Sequence, residues 1–253
     1  MTDIVFIALA GIFLPLFPMS MVFNAVLDRI NQAWLKGGLF VVWPLCGLLI
    51  IFYSGVAIPD WVLTLALGTS ILYALRMLSL REVNQWNGFL ATSLWSLLWL
   101  AALQGTSEIL MYAYALCMTV PLVLLVMLSA GLEQRYGAAF TGLYGGLART
   151  IPRFSGVLVT VIVAAIATPL FPTFFIMFDL IVETISIRPF AAMMLLLIWL
   201  LWSWAGARLI QGLIVGRASN VRVVDFDVPT ISFYSIVLLA LAMAGIYMSR
   251  IIL

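Results

Sequence analysis

Ile166-Ala-Thr-Pro-Leu-Phe-Pro-Thr-Phe-Phe-Ile-Met-Phe-Asp-Leu-Ile-Val-Glu183 has the composition of a membrane helix that is interrupted in its middle. Pro169 and Pro172 lack the backbone N–H that a helix needs, and their rings clash with the preceding turn. In hydrocarbon, the carbonyl groups freed by such a break must be satisfied by neighbouring protein or by water. The stretch therefore predicts a broken helix that lies inside a bundle or beside a wet cavity.

Two carboxylates follow this break. Asp179 and Glu183 are four residues apart, so they share one face of a helix. Burial among Phe174, Phe175 and Phe178 would disfavour the charged form of Asp179, and such a carboxyl can take up and release a proton near neutral pH. We therefore predict that Asp179 and Glu183 belong to an ion pathway. The alternative for Glu183 is that it marks the helix end at the membrane interface.

The same break occurs a second time in the first apolar segment. The run Leu14-Pro-Leu-Phe-Pro18 matches Thr168-Pro-Leu-Phe-Pro172 at four of five positions, so helix breaks are expected at Pro15 and Pro18 as well. Broken helices in corresponding places of two halves are typical of transporter binding or conduction sites. We predict partial inverted-repeat character.

The composition excludes a soluble fold. The chain has 253 residues, of which 65% are hydrophobic and 9% are charged, and its mean hydropathy is +1.21. An all-α polytopic membrane protein is therefore expected, with residues 1–253 as one transmembrane domain. Cys46 and Cys117 both lie in apolar spans, histidine is absent, and no phosphate-binding, nucleophile or metal-ligand motif occurs. We predict no active site, no cofactor, no metal site and no nucleic-acid partner.

Eight membrane spans can be drawn along the chain. Their predicted ranges are 4–23, 33–54, 60–78, 87–104, 108–131, 152–183 (broken), 190–212 and 230–250. The loops on one side hold nine arginines, which are Arg29, Arg76, Arg81, Arg135, Arg149, Arg153, Arg208, Arg217 and Arg222. The other side holds only Arg188 and Arg250. The positive-inside rule then predicts a multi-pass inner-membrane protein with both termini outside the cytoplasm, and the two broken helices run in opposite directions.

Lys36 is the third candidate for the ion pathway. If the second helix begins near residue 33, Lys36 extends its ammonium group to the cytoplasmic interface. If the helix begins near Asn24, Lys36 lies about three turns inside and must face a polar interior. The spacing leaves both alternatives open.

The connection Arg76-Met-Leu-Ser-Leu-Arg-Glu-Val-Asn-Gln-Trp86 is expected to be a cytoplasmic elbow. We predict that Glu82, Asn84 and their polar neighbours are solvated and that Trp86 lies in the interfacial aromatic belt.

These motifs together resemble a known family. The sequence resembles antiporter-like membrane subunits, which have a Gly-Gly-Leu…Pro loop that leads into a second broken helix. The stretches that carry this resemblance are Leu132-Glu-Gln-Arg135, Gly145-Gly-Leu-Ala-Arg-Thr-Ile-Pro152 and the break at Pro169 and Pro172. Such subunits occur in respiratory complex I, Mrp antiporters, membrane-bound hydrogenases and the inorganic-carbon-accumulating DAB complexes. Leu35-Lys36-Gly37-Gly38 is similar to the family's Lys-x-Gly run. The resemblance covers the last eight helices of a fourteen-helix member.

The sequence departs from the family at several positions. No lysine precedes Pro15, and Phe17 and Ser20 stand where the family has histidine. The charged residue that follows the family's second break would fall nearest Met177, two positions before Asp179. The earlier helices, which carry the family's glutamate, have no counterpart in this sequence.

Two functional hypotheses follow from the resemblance and the residues. The first is a membrane subunit of a larger ion-translocating complex, which contributes part of a proton or sodium pathway coupled to redox chemistry or inorganic-carbon uptake. The alternative is a degenerate antiporter fragment that acts as a scaffold. Both imply other membrane subunits and the lipid bilayer as partners, with a cytoplasmic peripheral subunit as a further candidate.

Overall fold

The structure, a computed structural model, describes residues 2–142, 145–216 and 223–252. Within these ranges the chain forms helices joined by short connections. Their bounds are α1 Thr2–Phe13, α2 Met21–Arg29, α3 Ala33–Ser54, α4 Trp61–Met77, α5 Val83–Ser96, α6 Leu98–Leu103, α7 Glu108–Tyr136, α8 Leu147–Thr150, α9 Pro152–Ala165, α10 Pro172–Ile185, α11 Pro189–Ile214 and α12 Val228–Ile252.

These helices account for the eight predicted spans. The first span is the pair α1 and α2, the fourth is α5 and α6, and the sixth is α9 and α10. Five helices are long and apolar enough to cross a membrane, and the ranges Asp3–Phe13 and Pro152–Ala165 are shorter apolar helices. The prediction of an all-α, multi-pass membrane protein is confirmed.

The short connections make successive spans alternate in direction. The ends of α2, α4, α7 and α11 therefore meet at one end of the bundle, which we call the arginine-rich end. The connections after α4 and after α7 pair there, with Val83 N–H donating to Ala139 O (3.0 Å) and Thr141 N–H to Arg81 O (2.8 Å). At the opposite end Arg188 forms an ion pair with Asp60. Arg217 and Arg222 lie outside the described residues.

The helix α5 lies at the centre of the bundle, against α2, α4 and α7. It begins at Val83, four residues earlier than predicted, and this extension overturns the predictions that Asn84 is solvated and that Trp86 lies in the interfacial belt, while Arg81 is exposed as predicted. Asn84 and Trp86 are buried, with 8% and 1% of their surface exposed. The prediction failed because hydropathy alone does not distinguish a polar residue in a loop from one that is paired inside a bundle.

Candidate ion pathway

The first helix break lies where Pro15 and Pro18 predict it, between Phe13 at the end of α1 and Met21 at the start of α2. Neighbouring side chains satisfy its backbone. The indole N–H of Trp43 donates to Ile12 O (3.0 Å), and that of Trp99 donates to Leu14 O (2.9 Å). Thr69 accepts a hydrogen bond from Phe17 N–H at 2.9 Å. Protein groups therefore fill the role that water would otherwise take in hydrocarbon.

The second break is built in the same way. α9 ends at Ala165 and α10 begins at Pro172, which occupies the first helical turn, where a missing N–H costs no hydrogen bond. Pro169 therefore lies in the break itself, and Pro172 opens the second half of the span. The Trp199 indole donates to Ala167 O (2.9 Å), and Thr168 Oγ1 donates to Val163 O (2.8 Å).

Each break also packs against a glycine of a neighbouring helix. A Cβ atom on Gly47 of α3 would lie 2.6 Å from Leu14 Cγ and 3.0 Å from its backbone nitrogen. A Cβ atom on Gly245 of α12 would lie 2.2 Å from Leu170 O. The two breaks thus share an indole donor and a glycine contact, which is the local similarity that an inverted repeat would produce.

Asp179 lies on α10 and is half-buried, and its partner is Tyr114 of α7. The Tyr114 hydroxyl donates to Asp179 Oδ2 at 2.6 Å. Tyr114 is six residues from the start of α7 at Glu108, so this contact lies about 9 Å inside the bundle from the opposite end. Glu183, one turn further along α10, is exposed. The predicted pair therefore divides into one acid inside the bundle and one at its surface.

A second polar contact joins α10 to Gln104, the residue that follows α6. Gln104 Nε2 donates to Thr184 Oγ1 (2.8 Å), and Thr184 is buried. Gln104 Oε1 has no hydrogen-bond partner among the described residues, although it is buried from solvent. α10 therefore makes polar contacts both with α7 and with the residue that follows α6.

Lys36 lies in the first turn of α3, since this helix begins at Ala33 and α2 ends at Arg29. The structure therefore selects the alternative in which this helix begins near residue 33. Gly37 packs against Met127 of α7, thirteen residues from Tyr114. Lys36 and Asp179 are consequently separated by about 20 Å along α7, and the structure does not bring them together as an ion pair.

Lys36 interacts electrostatically with Glu82, an acid that was predicted to be solvated. Burial raises the pKa of the Glu82 carboxyl above its usual value. The negative charges of Asp28 and Glu133 raise this pKa further, whereas the positive charge of Lys36 lowers it. Glu82 lies in the connection that precedes α5. Asp28, Lys36 and Glu133 thus each act electrostatically on Glu82 at the arginine-rich end, and we call these four residues the acid–lysine cluster.

The acid–lysine cluster continues into the bundle through neutral polar side chains. Asn84 Nδ2 donates to Glu133 Oε1, and Ser129 Oγ donates to Asn84 Oδ1, both at 2.6 Å. One turn further along α5, Asn87 Nδ2 donates to Leu122 O at 2.9 Å. The Asn87 Oδ1 atom is buried and has no hydrogen-bond partner among the described residues.

The middle of the bundle is polar but holds no charge within the described ranges. Trp95 Nε1 donates to Thr119 Oγ1 at 3.1 Å, between α5 and α7. Ser93 is hydrogen-bonded to Ser70 (2.8 Å) and accepts from the Trp202 indole (2.8 Å). These hydroxyl and indole groups stand between the acid–lysine cluster and Asp179.

Sequence reasoning missed Tyr114, Asn84, Asn87 and Glu133. The signal that could have found the two asparagines is their spacing, because Asn84 and Asn87 are three residues apart and so lie on one face of a helix. A buried amide in a membrane helix needs a partner, which makes it a marker of a helix–helix contact. Tyr114 gives no such signal, because a tyrosine in an apolar span has the pattern of a packing residue.

Neither a protein-family model nor a curated protein matches this sequence. Solved structures do match the fold. A chain of respiratory complex I from Thermus thermophilus with bound NADH has a TM-score of 0.82 and 18% identity, over 97% of this chain and 54% of that one. A chain of the Mrp complex from Dietzia sp. has a TM-score of 0.73 and 16% identity, over 83% of this chain and 41% of that one.

A third match is a chain of the membrane-bound sulfane sulfur reductase, an archaeal respiratory membrane complex. Its TM-score is 0.77 with 14% identity, over 96% of this chain and 52% of that one. The fold is therefore that of chains from respiratory and Mrp membrane complexes, as the family resemblance predicted. This protein spans about half the length of the solved chains it matches.

Proposed function

We propose that this chain is a membrane subunit of a larger ion-translocating complex and that it supplies part of a proton or sodium pathway. The observation that carries the proposal is Asp179, a half-buried acid beside a broken helix, held by the Tyr114 hydroxyl at 2.6 Å. Ionisable side chains inside membrane spans are costly, and they mark ion pathways in transport proteins. The fold similarity to respiratory and Mrp complexes supports the same function.

The proposed path follows α7 from one end of the bundle to the other. It begins at Glu133 in the acid–lysine cluster, passes the Asn87 amide and the Thr119 hydroxyl, and reaches Tyr114 and Asp179. From Glu133 to Tyr114 is nineteen residues, or about 28 Å, which is close to the thickness of the hydrocarbon core. Asn87 and Trp95, whose indole donates to Thr119, are eight residues apart on α5, or about 12 Å along its axis, so a proton needs bridging water between them.

The chain should not transport ions by itself. The described residues provide one acid inside the bundle and one cluster at its end, and the neutral middle cannot relay charge without partner groups. Expressed alone in cells that lack their own antiporters, the protein should give no sodium or proton exchange in everted vesicles. Robust exchange by the purified single subunit would contradict this prediction.

The arginine-rich end should face the cytoplasm, because basic residues are retained on that side of the membrane. Cysteines placed at Arg81 and Arg149, in a background without Cys46 and Cys117, should react with impermeant thiol reagents only from the cytoplasmic side. Cysteine at Ile187, in the connection at the opposite end, is the control and should react only from outside. The reverse labelling pattern would overturn the orientation.

The experiment that tests the function is ion transport by the intact complex. A tagged chain is purified from its native membranes, its partner subunits are identified, and the complex is reconstituted in vesicles. We expect ion uptake that depends on Asp179. Uptake at the normal rate without this carboxyl would leave the scaffold hypothesis as the explanation.

A further inference from the structure

A cleft opens at the arginine-rich end, between α4 and α5 on one side and α11 on the other. Its volume is about 480 Å³. Its wall includes the turn after α4, the side chain of Trp86 and the last turns of α11. It is separate from the path along α7, because Glu133, Asn87 and Thr119 do not line it.

The cleft is basic. Arg81 lines it from the turn after α4, and Arg208 lines it from α11. Both side chains are exposed, and neither forms an ion pair within residues 2–142, 145–216 and 223–252. No aspartate or glutamate among the described residues lines the cleft; Glu82, next to Arg81 in the chain, belongs to the acid–lysine cluster instead. Two unneutralised guanidinium groups at one cleft favour a phosphate group, which they can bind through paired hydrogen bonds.

A buried donor next to the cleft also lacks an acceptor. Trp86 is 1% exposed, and its indole N–H has no hydrogen-bond partner among the described residues. A buried donor without an acceptor is destabilising. An oxygen atom of a bound anion, or a water held by that anion, would supply the missing acceptor.

The surface below the cleft is apolar. Leu200, Trp204 and Arg208 are spaced by four residues, so they form one stripe along α11. Leu200 and Trp204 are each 59% exposed, and Trp204 lies one helical turn further from the arginine-rich end than Arg208. The basic cleft therefore continues into a face that suits acyl chains, which a free phosphate or a nucleotide would not use.

We propose that this cleft binds the phosphate headgroup of an anionic phospholipid. Arg81 and Arg208 hold the phosphate, Trp86 adds a donor beside it, and an acyl chain lies along Leu200 and Trp204. Basic pockets between transmembrane helices at the headgroup level are suited to such lipids, because the dielectric there is lower than in water and the phosphate stays close to the guanidinium groups. The bound lipid would join the ends of α4 and α11.

The test is lipid retention by the full chain, purified in mild detergent and measured by native mass spectrometry. Phosphatidylglycerol should be retained in preference to phosphatidylcholine. The double variant Arg81→Gln/Arg208→Gln should lose this retention about tenfold. Trp86→Phe, which removes the N–H together with part of the ring, should weaken it by a smaller factor. The control is the double variant Arg29→Gln/Arg149→Gln. It removes the same charge from exposed positions at the same end of the bundle but outside the cleft, and it should change lipid retention less than twofold.

Three results would overturn the proposal. Equal losses in the two double variants would mean a general surface attraction to negative charge. Equal retention of the two lipids by the unmodified chain would mean that the cleft does not select an anionic headgroup. Displacement of phosphatidylglycerol by millimolar inorganic phosphate would mean that the site recognises free phosphate and not a lipid. Size-exclusion profiles of each variant establish that it is folded.

Discussion

Replacing Asp179 with asparagine should leave the complex assembled and lower its ion transport about tenfold or more. Asparagine keeps the shape of the side chain and can still accept the hydrogen bond from the Tyr114 hydroxyl, but it cannot exchange a proton or carry negative charge. A tenfold loss corresponds to about 1.4 kcal/mol of added barrier. The measurement is ion uptake by vesicles that contain the reconstituted complex, normalised to the amount of this subunit.

The matched control for this variant is Asp60→Asn. Asp60 lies in the connection before α4 at the same end of the bundle, and it pairs with Arg188 at the surface. Exposed ion pairs contribute little to stability, so the control should assemble and transport normally. Normal transport by Asp179→Asn would show that the carboxyl is not part of the path.

Asp179→Leu separates conduction from scaffolding. A site that is purely structural can tolerate or prefer an apolar residue, since the desolvation cost of the acid disappears. If the leucine variant assembles better than the unmodified chain while transport is lost, the acid is maintained for conduction. If neither assembly nor transport changes, the scaffold hypothesis is favoured.

Replacing Gly245 with alanine should destabilise the fold by about 1–3 kcal/mol, the usual range for an overpacked contact. The new Cβ atom would lie 2.2 Å from Leu170 O, and this is a backbone atom of the second break that cannot move aside as a flexible side chain could. The α12 helix and the break must separate. The midpoint of thermal unfolding in detergent should fall by several degrees, at roughly 2–4 °C per kcal/mol for a chain of this size.

The control here is Gly68→Ala on α4, where no neighbouring segment comes within 4 Å of the added Cβ. That substitution should be neutral or stabilising, because alanine has a higher helix propensity than glycine by about 1 kcal/mol. Gly47→Ala, at the first break, should behave like Gly245→Ala, since its Cβ would lie 2.6 Å from Leu14 Cγ. Equal stability of the Gly245 and Gly68 variants would contradict the proposed role of glycine at the breaks.

The amino-acid sequence by itself determined the class of protein and the position of both breaks. The hydropathy of a helix depends only on the residues of that helix, and a proline changes the hydrogen bonding only of its own turn. Both signals therefore depend on residues that are close together in the sequence. The sequence also identified Asp179 as the acid inside the bundle. It placed the start of the second span near residue 33 as one of two alternatives, and the structure selects that one.

Only the tertiary structure decided what these residues contact. Tyr114 is 65 residues from Asp179, and Trp99 is 85 residues from Leu14, so no spacing rule links them. Lys36, which the sequence offered as a countercharge for Asp179, interacts electrostatically with Glu82 instead. A hydrogen bond between distant segments depends on how the helices pack. Packing follows from the shape of many side chains together, which is why the partners of the breaks and of Asp179 emerge only in the folded protein.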